Sequence, residues 1–565
     1  MRIFHISPDC CGEAQIARIF RTNGHEVALH EDGRLAADIL YAEGRGLAPL
    51  RPWRKARLLT GLYRRTPHWR PPLEAWRRFA FLDQQFPQAR FLLTSRRRED
   101  WIAQRLARDE GRAARAWAHH LGLGEDDLPE VWARHWDAHL AAVRAHFAGS
   151  GRLIELDLDR DTPADLARLL GDLVPLPVLP ISRWKLEPGQ RRAPPRPASA
   201  PPDWAADLAR FCLGTLRPGT DIAPGALSRF ACHWDGAVSA AGAPVTDPEG
   251  VARQMAVLEG GAGPVAVTHE GRHFKLVRAE GVVNDILRLG RRDPVWMDME
   301  DSRWLGSPEG VAPGRPVLCH NRRAGAVNAV LWPLPDQHAI GLPGFDPAAA
   351  PDEVPWHEKE DRLVWRGMIS GSEMRPGVKP GPASHVWLER LEAAEDDAAR
   401  AAAWEGLART NRMAFLARYR AHPDFDIAAV MAPRFARFAD HPRLAPFCAP
   451  RQPRAFFHRF RYQLCLTGYD HGSNFIPAID SRSVLLAEED GWEVFYSGRF
   501  RPWVHYIPVS RHLADIEEKL AWARAHPDEC QRMSGRARHE AAHLRDPAAR
   551  RRLMSLILDG LAAAR

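Results

Sequence analysis

Short apolar runs recur along the first part of the chain, each followed by an amphipathic stretch. Ile3 to Ile6 is a strand pattern, followed by a turn at Cys10-Cys11-Gly12 and a helical pattern beginning near Ala14. Arg90 to Thr94 and Leu153 to Leu158 are further strand patterns. Between them Trp132, Trp136, Leu140, Val143 and Phe147 recur at helical spacing, which predicts one buried stripe. Strands alternating with helices predict an α/β fold with a mostly parallel sheet covered on both faces.

This pattern stops at a stretch of Pro, Ala and Arg from Glu187 to Pro202, whose composition cannot build a core and reads as an extended linker. We therefore expect a domain over residues 1–182, a linker over 183–203 and a larger domain over 204–565. A second proline-rich interval, Pro343 to Pro355, is expected to cross between two lobes of the larger part.

In that larger part three clusters suggest chemistry. The first is Leu363-Val364-Trp365-Arg366-Gly367, continuing to Ser370-Gly371. A strand ending in Arg-Gly suits a diphosphate, because arginine offers a charge-assisted bidentate contact and glycine lets the backbone approach closely. The second runs from Arg461 through Gly468, Gly472, Ser473 and Asn474 to Arg482 and Val484-Leu485-Leu486. It reads as strand, small polar loop, helix and strand, with the loop at the strand's carboxyl end, where open α/β sheets hold nucleotides. The third is Trp492-Glu493-Val494-Phe495-Tyr496, then Arg501-Pro502-Trp503-Val504-His505-Tyr506-Ile507-Pro508-Val509. A helix follows, with Ile516, Leu520 and Trp522 on or near its buried side.

Composition narrows the field. With 45% hydrophobic and 26% charged residues, the 565-residue chain is an ordinary globular protein with more than one core. The longest apolar runs are far short of a membrane-spanning helix, and no secretion signal is read at the N-terminus. The net charge of +7 comes mostly from arginines interspersed with Asp and Glu, which argues against nucleic acid as a partner. Such a surface can still hold the protein near anionic lipid or glycan, so a cytoplasmic location with peripheral membrane contact is expected. The 8 cysteines show no zinc spacing, so no structural metal is expected and the thiols are read as reduced.

The N-terminal elements resemble the sulfotransferase family over nearly all of residues 1–182. The resemblance rests on Phe4-His5-Ile6 and its turn, on Ile19 to Gly24, and on Phe91 to Arg96 followed by Trp101. It implies a P-loop three-layer domain whose first turn, Cys10, Cys11 and Gly12, meets a donor 5′-phosphosulfate, with Arg96 at the 3′-phosphate. The family's lysine is replaced by Asp9, Cys10 or Cys11, its hydroxyl residues by Glu13-Ala14-Gln15, and its helix serine by Gln104. A carboxylate beside a dianionic donor repels it, so this domain is expected to keep the fold without the activity.

The three C-terminal clusters resemble glycosyltransferase family 90, whose members include protein O-glucosyltransferases and capsule-associated and lipopolysaccharide-modifying transferases. The resemblance covers roughly residues 250–545 and is carried by Trp365-Arg366-Gly367 and by Pro502 to Val509. It implies a GT-B pair of Rossmann-like lobes, a UDP-sugar as substrate, no cofactor, no metal, and inversion by a carboxylate base. The matching base lies in Val295 to Asp301; Asp301 is preferred, with Asp298 and Glu300 as alternatives. Pro316 to Asn321 and Val330 to Pro333 resemble the strand and loop that follow. Donor contacts are expected from Arg366, Gly367, Ser370, Gly468, Ser473, Asn474, Arg482 and Glu493, although Asn474 stands where eukaryotic members carry arginine. The acceptor implied is a surface or capsule polysaccharide or lipopolysaccharide of a bacterium. A bifunctional glycosyl- and sulfotransferase, or a glycan-binding scaffold without catalysis, are the rival expectations.

Overall fold

Alternation along the N-terminal strands determines which side chains meet on each side of their sheet. In the computed structural model Phe4, Leu59, Phe91 and Leu93 pack into one buried cluster, whereas Ile3, Leu58, Leu92 and Ile154 pack into another. Neighbouring residues of one strand enter opposite clusters, as a period of two requires. The structure describes residues 1–64, 72–185, 203–217, 219, 222, 225–257, 274–301, 304–307, 312–338, 350–373 and 381–564. The linker between the two main parts and residues 343–349 of the second proline-rich interval lie outside these.

By contacts the chain divides into a unit of Met1–Pro197, Met374–Gly381 and Ser510–Asp515, and a second unit comprising the remainder. The first holds a 5-stranded sheet in the order Val27–Leu29, Leu58–Thr60, Ile3–His5, Arg90–Ser95, Leu153–Asp157. Every neighbouring pair is parallel. The strands end close to the expected positions, Ile6 lying just past the first. The tryptophan stripe falls on the helix Leu128–His146, where Trp132 and Val143 are fully buried and Trp136 nearly so. A large apolar side chain removed from water in this way contributes about 1.5–3 kcal/mol before the cost of ordering it.

Among the described residues of the second unit, two large sheets contribute to one buried core, and a short pair, Arg322–Arg323 with Trp492–Glu493, stands beside them. The first, 6-stranded, runs Ala252–Met255, Ala243–Thr246, Cys232–Trp234, Val295–Met297, Val317–Cys319, Ala329–Leu331. Its last three strands are parallel, while the first three form an antiparallel edge. The second, 5-stranded and parallel, runs Phe425–Ala429, Glu360–Gly367, Phe460–Cys465, Val484–Glu488, Ile507–Val509. Its central strands, such as Val484-Leu485-Leu486, read as continuous apolar runs because both faces are covered. Among the described residues no helix is long and apolar enough to cross a membrane.

Candidate functional site

Two backbone donors of the N-terminal turn, on Cys10 and Cys11, are occupied. Cys10 and Gly12 both have positive φ, 65° and 87°, which turns successive N–H groups inward. They meet the chain's own carboxylate: Glu13 accepts from the N–H of Cys10 at 3.2 Å and of Cys11 at 3.0 Å, and from the Tyr63 hydroxyl at 2.8 Å. Burial pushes the Glu13 carboxyl pKa up, but these hydrogen bonds, with Arg108 and His5, outweigh it and hold the pKa below its ordinary value. Burial also pushes the Cys11 thiol well up, which keeps it protonated and unreactive. Arg96 donates to the Cys10 carbonyl at 3.4 Å and to Gln104 at 2.6 Å, so the four residues expected to meet are together with Gln104.

In the second unit a cavity of about 210 Å³ lies where the carboxyl ends of strands from both sheets converge. Parallel pairing of Val295–Met297 with Val317–Cys319 puts Asp301 and His320 at the same end of the first sheet. From the second sheet come Ser370, after Glu360–Gly367, and the loop with Gly468, Asp470 and Ser473, after Phe460–Cys465. This is the location at which open α/β sheets bind ligands.

The three acidic candidates have different environments. Asp298 is fully buried and accepts from both the N–H and the hydroxyl of Ser228 at 2.8 Å, so its carboxylate holds two segments together. Glu300 pairs with Lys275 and does not line the cavity. Asp301 does line it, accepting from Arg278 Nη1 at 2.5 Å with His320 Nε2 at 3.6 Å. Burial raises its pKa, but Arg278, His320 and Lys275 outweigh that and leave it below the ordinary aspartate value.

Of the expected donor residues, Ser370, Gly468 and Ser473 line the cavity. Arg366, Gly367, Asn474, Arg482 and Glu493 do not, and each has a local reason. Arg366 points along its sheet to Asp426, bonding its side chain at 2.5 Å and its carbonyl at 2.6 Å. Gly367 ends the strand beneath the Trp365 ring, where a Cβ would come within 2.7 Å of that ring. Asn474 donates to the Leu464 carbonyl at 2.8 Å and thereby ties down the loop. Arg482 donates its backbone N–H to Asp352 and its guanidinium to the Glu353 carbonyl, and Glu493 forms a buried pair with Arg322 at 3.0 Å.

Sequence reasoning missed Arg412, which stands in the helix Asn411–Tyr419 and reaches the cavity wall. It donates to the carbonyls of Met368, Leu466 and Thr467 and to the Ser370 hydroxyl at 2.7–3.1 Å, joining the loops after two neighbouring strands. Burial lowers its pKa, yet a guanidinium stays charged in a protein. Gly468 belongs here for steric reasons: a Cβ would lie 2.9 Å from Ser370 Oγ and 3.1 Å from Arg412 Nη2. His320 and Asp470 were also missed, because their meeting joins positions 150 residues apart.

Asp301, His320 and Asp470 bring possible ligand atoms within 4.8 Å of one another. Arg278 already donates to Asp301 and Asn321 Nδ2 to Asp470, so we read the cluster as a hydrogen-bonded charge network.

Fold and site together define an α/β protein with a polar ligand cleft at the strand ends of two sheets. Residues 450–545 match the family model Glycosyl transferase family 90, a stretch that includes the loop with Gly468, Asp470 and Ser473. The chain is 26% identical over 179 residues to O-glucosyltransferase LpsA of Dichelobacter nodosus, covering 32% of this chain and 42% of that protein. It is 28% identical over 91 residues to Protein O-glucosyltransferase 3 of Rattus norvegicus, covering 16% of this chain and 18% of that protein. An uncharacterized protein, 027R, of Frog virus 3 (isolate Goorha) is 24% identical over 190 residues, 32% of this chain and 18% of that protein. The matches thus span less than half the length of these relatives, and they support glycosyl transfer at the level of the family.

Proposed function

We propose that the second unit transfers a sugar from a UDP-sugar to a hydroxyl of a surface polysaccharide or lipopolysaccharide, with inversion and without a metal. The observation that carries this is the convergence of Asp301 with Arg412, Gly468 and Ser473 on one cavity at the carboxyl ends of two sheets. That arrangement suits a GT-B architecture, with the donor held on the second sheet and the acceptor presented from the first. Two relatives are named O-glucosyltransferases, which favours an oxygen acceptor.

In the reaction, the acceptor oxygen attacks the anomeric carbon while the bond from that carbon to the diphosphate oxygen breaks. Asp301 takes the hydroxyl proton. Its lowered pKa keeps it ionised at neutral pH, and general-base assistance by a positioned side chain contributes about 10²–10⁴-fold. Charge developing on the leaving UDP is met by the Arg412 guanidinium and the polar loop from Gly468 to Ser473, which takes over the role first expected of Arg366.

The first unit is read as a sulfotransferase-like fold that lacks the activity and serves acceptor binding or assembly. The Glu13 carboxylate on the turn's N–H groups supports this, since it occupies the position a donor phosphate would need.

The test is to incubate the full chain with a panel of UDP-sugars, with and without chelator, and to follow UDP release and product anomeric configuration by NMR. Release from at least one donor, insensitive to chelator and with inverted product, is expected. Retained configuration, or release abolished by chelator, would overturn the mechanism.

A further inference from the structure

The base, as placed above, belongs to the first sheet, yet part of its surroundings comes from the second. Asp470 extends from the loop after Phe460–Cys465 and meets two residues that follow Val317–Cys319. Asn321 Nδ2 donates to Asp470 Oδ2 at 2.8 Å, and His320 Nε2 lies 3.3 Å from the same oxygen. Asn321 Nδ2 is also 2.7 Å from His320 Nε2, which in turn stands 3.6 Å from Asp301 Oδ1. His320 and Asn321 are buried, with 5% and 1% of their surface exposed, so these contacts are made away from bulk water.

The loop that carries Asp470 is also the loop proposed to receive the diphosphate. The Gly468 N–H donates to the Asp470 carbonyl at 3.1 Å, which closes a tight turn. A shift of Gly468 therefore moves Asp470. Arg412 holds the start of this loop through the Leu466 and Thr467 carbonyls.

We propose that Asp470 is a positioning residue for Asp301. By fixing His320 and Asn321 across the cleft, it aligns the base only when the donor loop is seated. Donor binding and base alignment then share one structural element, and the sugar is committed to transfer once the diphosphate has ordered the loop. No proton resides on Asp470 in this step: the acceptor proton goes to Asp301, the new carbon–oxygen bond forms, and the old bond's electron pair leaves with UDP. The inference rests on the glycosyl-transfer reading above.

The test compares Asp470→Asn, His320→Gln and the double variant in the full chain, using UDP-glucose hydrolysis for turnover and calorimetry with UDP for binding. Asn keeps the size and an acceptor oxygen but removes the charge. Misplacing a reacting group by about 1 Å costs on the order of 10²-fold, so kcat is expected to fall by that order while the UDP Kd is unchanged. Asp470→Glu, which keeps the carboxylate, should recover part of the loss, and the double variant should be no slower than the slower single variant. Weaker UDP binding with kcat preserved would make Asp470 a donor-site residue and overturn the proposal, as would losses that multiply in the double variant. Full turnover in Asp301→Asn would refute the base assignment beneath it. Loss there with full turnover in Asp470→Asn would refute this inference alone. A wild-type protein that hydrolyses no UDP-sugar removes both.

Discussion

Replacing Arg412 by lysine keeps a positive charge at the cavity wall and changes the hydrogen bonding around it. The guanidinium makes four bonds of 2.7–3.1 Å to two loops, whereas an ammonium offers three donors from a single nitrogen. At least one acceptor must lose its partner. Because the acceptors are divided between Met368 and Ser370 on one loop and Leu466 and Thr467 on the other, losing two is the expected outcome. A hydrogen bond to a charged group contributes about 1.5–3 kcal/mol, so the two loops lose roughly 3–6 kcal/mol of mutual restraint. Even 1.4 kcal/mol of that, appearing as the cost of re-ordering the loops on the ligand, weakens UDP binding about tenfold. Calorimetry with UDP measures this, with far-UV circular dichroism confirming that the chain remains folded. Arg366→Lys is the matched control: its partner Asp426 lies off the cavity, so it should cost stability and leave UDP affinity intact. Wild-type UDP affinity in Arg412→Lys, or weakened affinity in Arg366→Lys, would refute the placement of the diphosphate.

Three other outcomes follow from the geometry. Asp298→Asn, which disturbs two buried bonds to Ser228, should lower the melting temperature through a loss of about 1.5–3 kcal/mol while retaining turnover; abolished turnover in a stable protein would point to Asp298 as the base. The folded-state pKa of Asp301 lies below the ordinary aspartate value, so its stabilising contribution is present above that ordinary value and is lost as pH falls through the lowered one. The kcat/KM profile should accordingly show no acid limb from this residue near neutrality, and a limb near about pH 6 would contradict its assignment. Calorimetry of the full chain with adenosine 3′,5′-bisphosphate should give no binding at millimolar ligand, because Glu13 occupies the turn; micromolar binding would revive sulfotransfer.

Much of this was legible because local patterning carries it. Alternation and helical spacing marked the N-terminal strands and the tryptophan helix, and the strand, loop, helix and strand around Gly468 read correctly from small polar residues between apolar runs. The antiparallel edge of the first sheet was not legible: Cys232–Trp234, Ala243–Thr246 and Ala252–Met255 are 3 or 4 residues long, too short for periodicity to show. That Arg366 stands off the cavity has a different cause. An arginine before a glycine at a strand end suits a phosphate, but its side chain found Asp426, 60 residues further on, through strand pairing that sequence order does not reveal. Arg412 was missed for the converse reason. It lies in a helix with no motif around it and reaches the cavity wall by bonding loops 42 to 55 residues away.

The most direct measurement of the central claim is UDP release by the wild-type chain and by Asp301→Asn on the best donor of the panel, alongside the UDP Kd of each. The variant is expected to lose about 10²–10⁴-fold in turnover and to bind UDP as the wild type does. Turnover within a few fold of wild type, or a collapse of UDP binding in the variant, would contradict it.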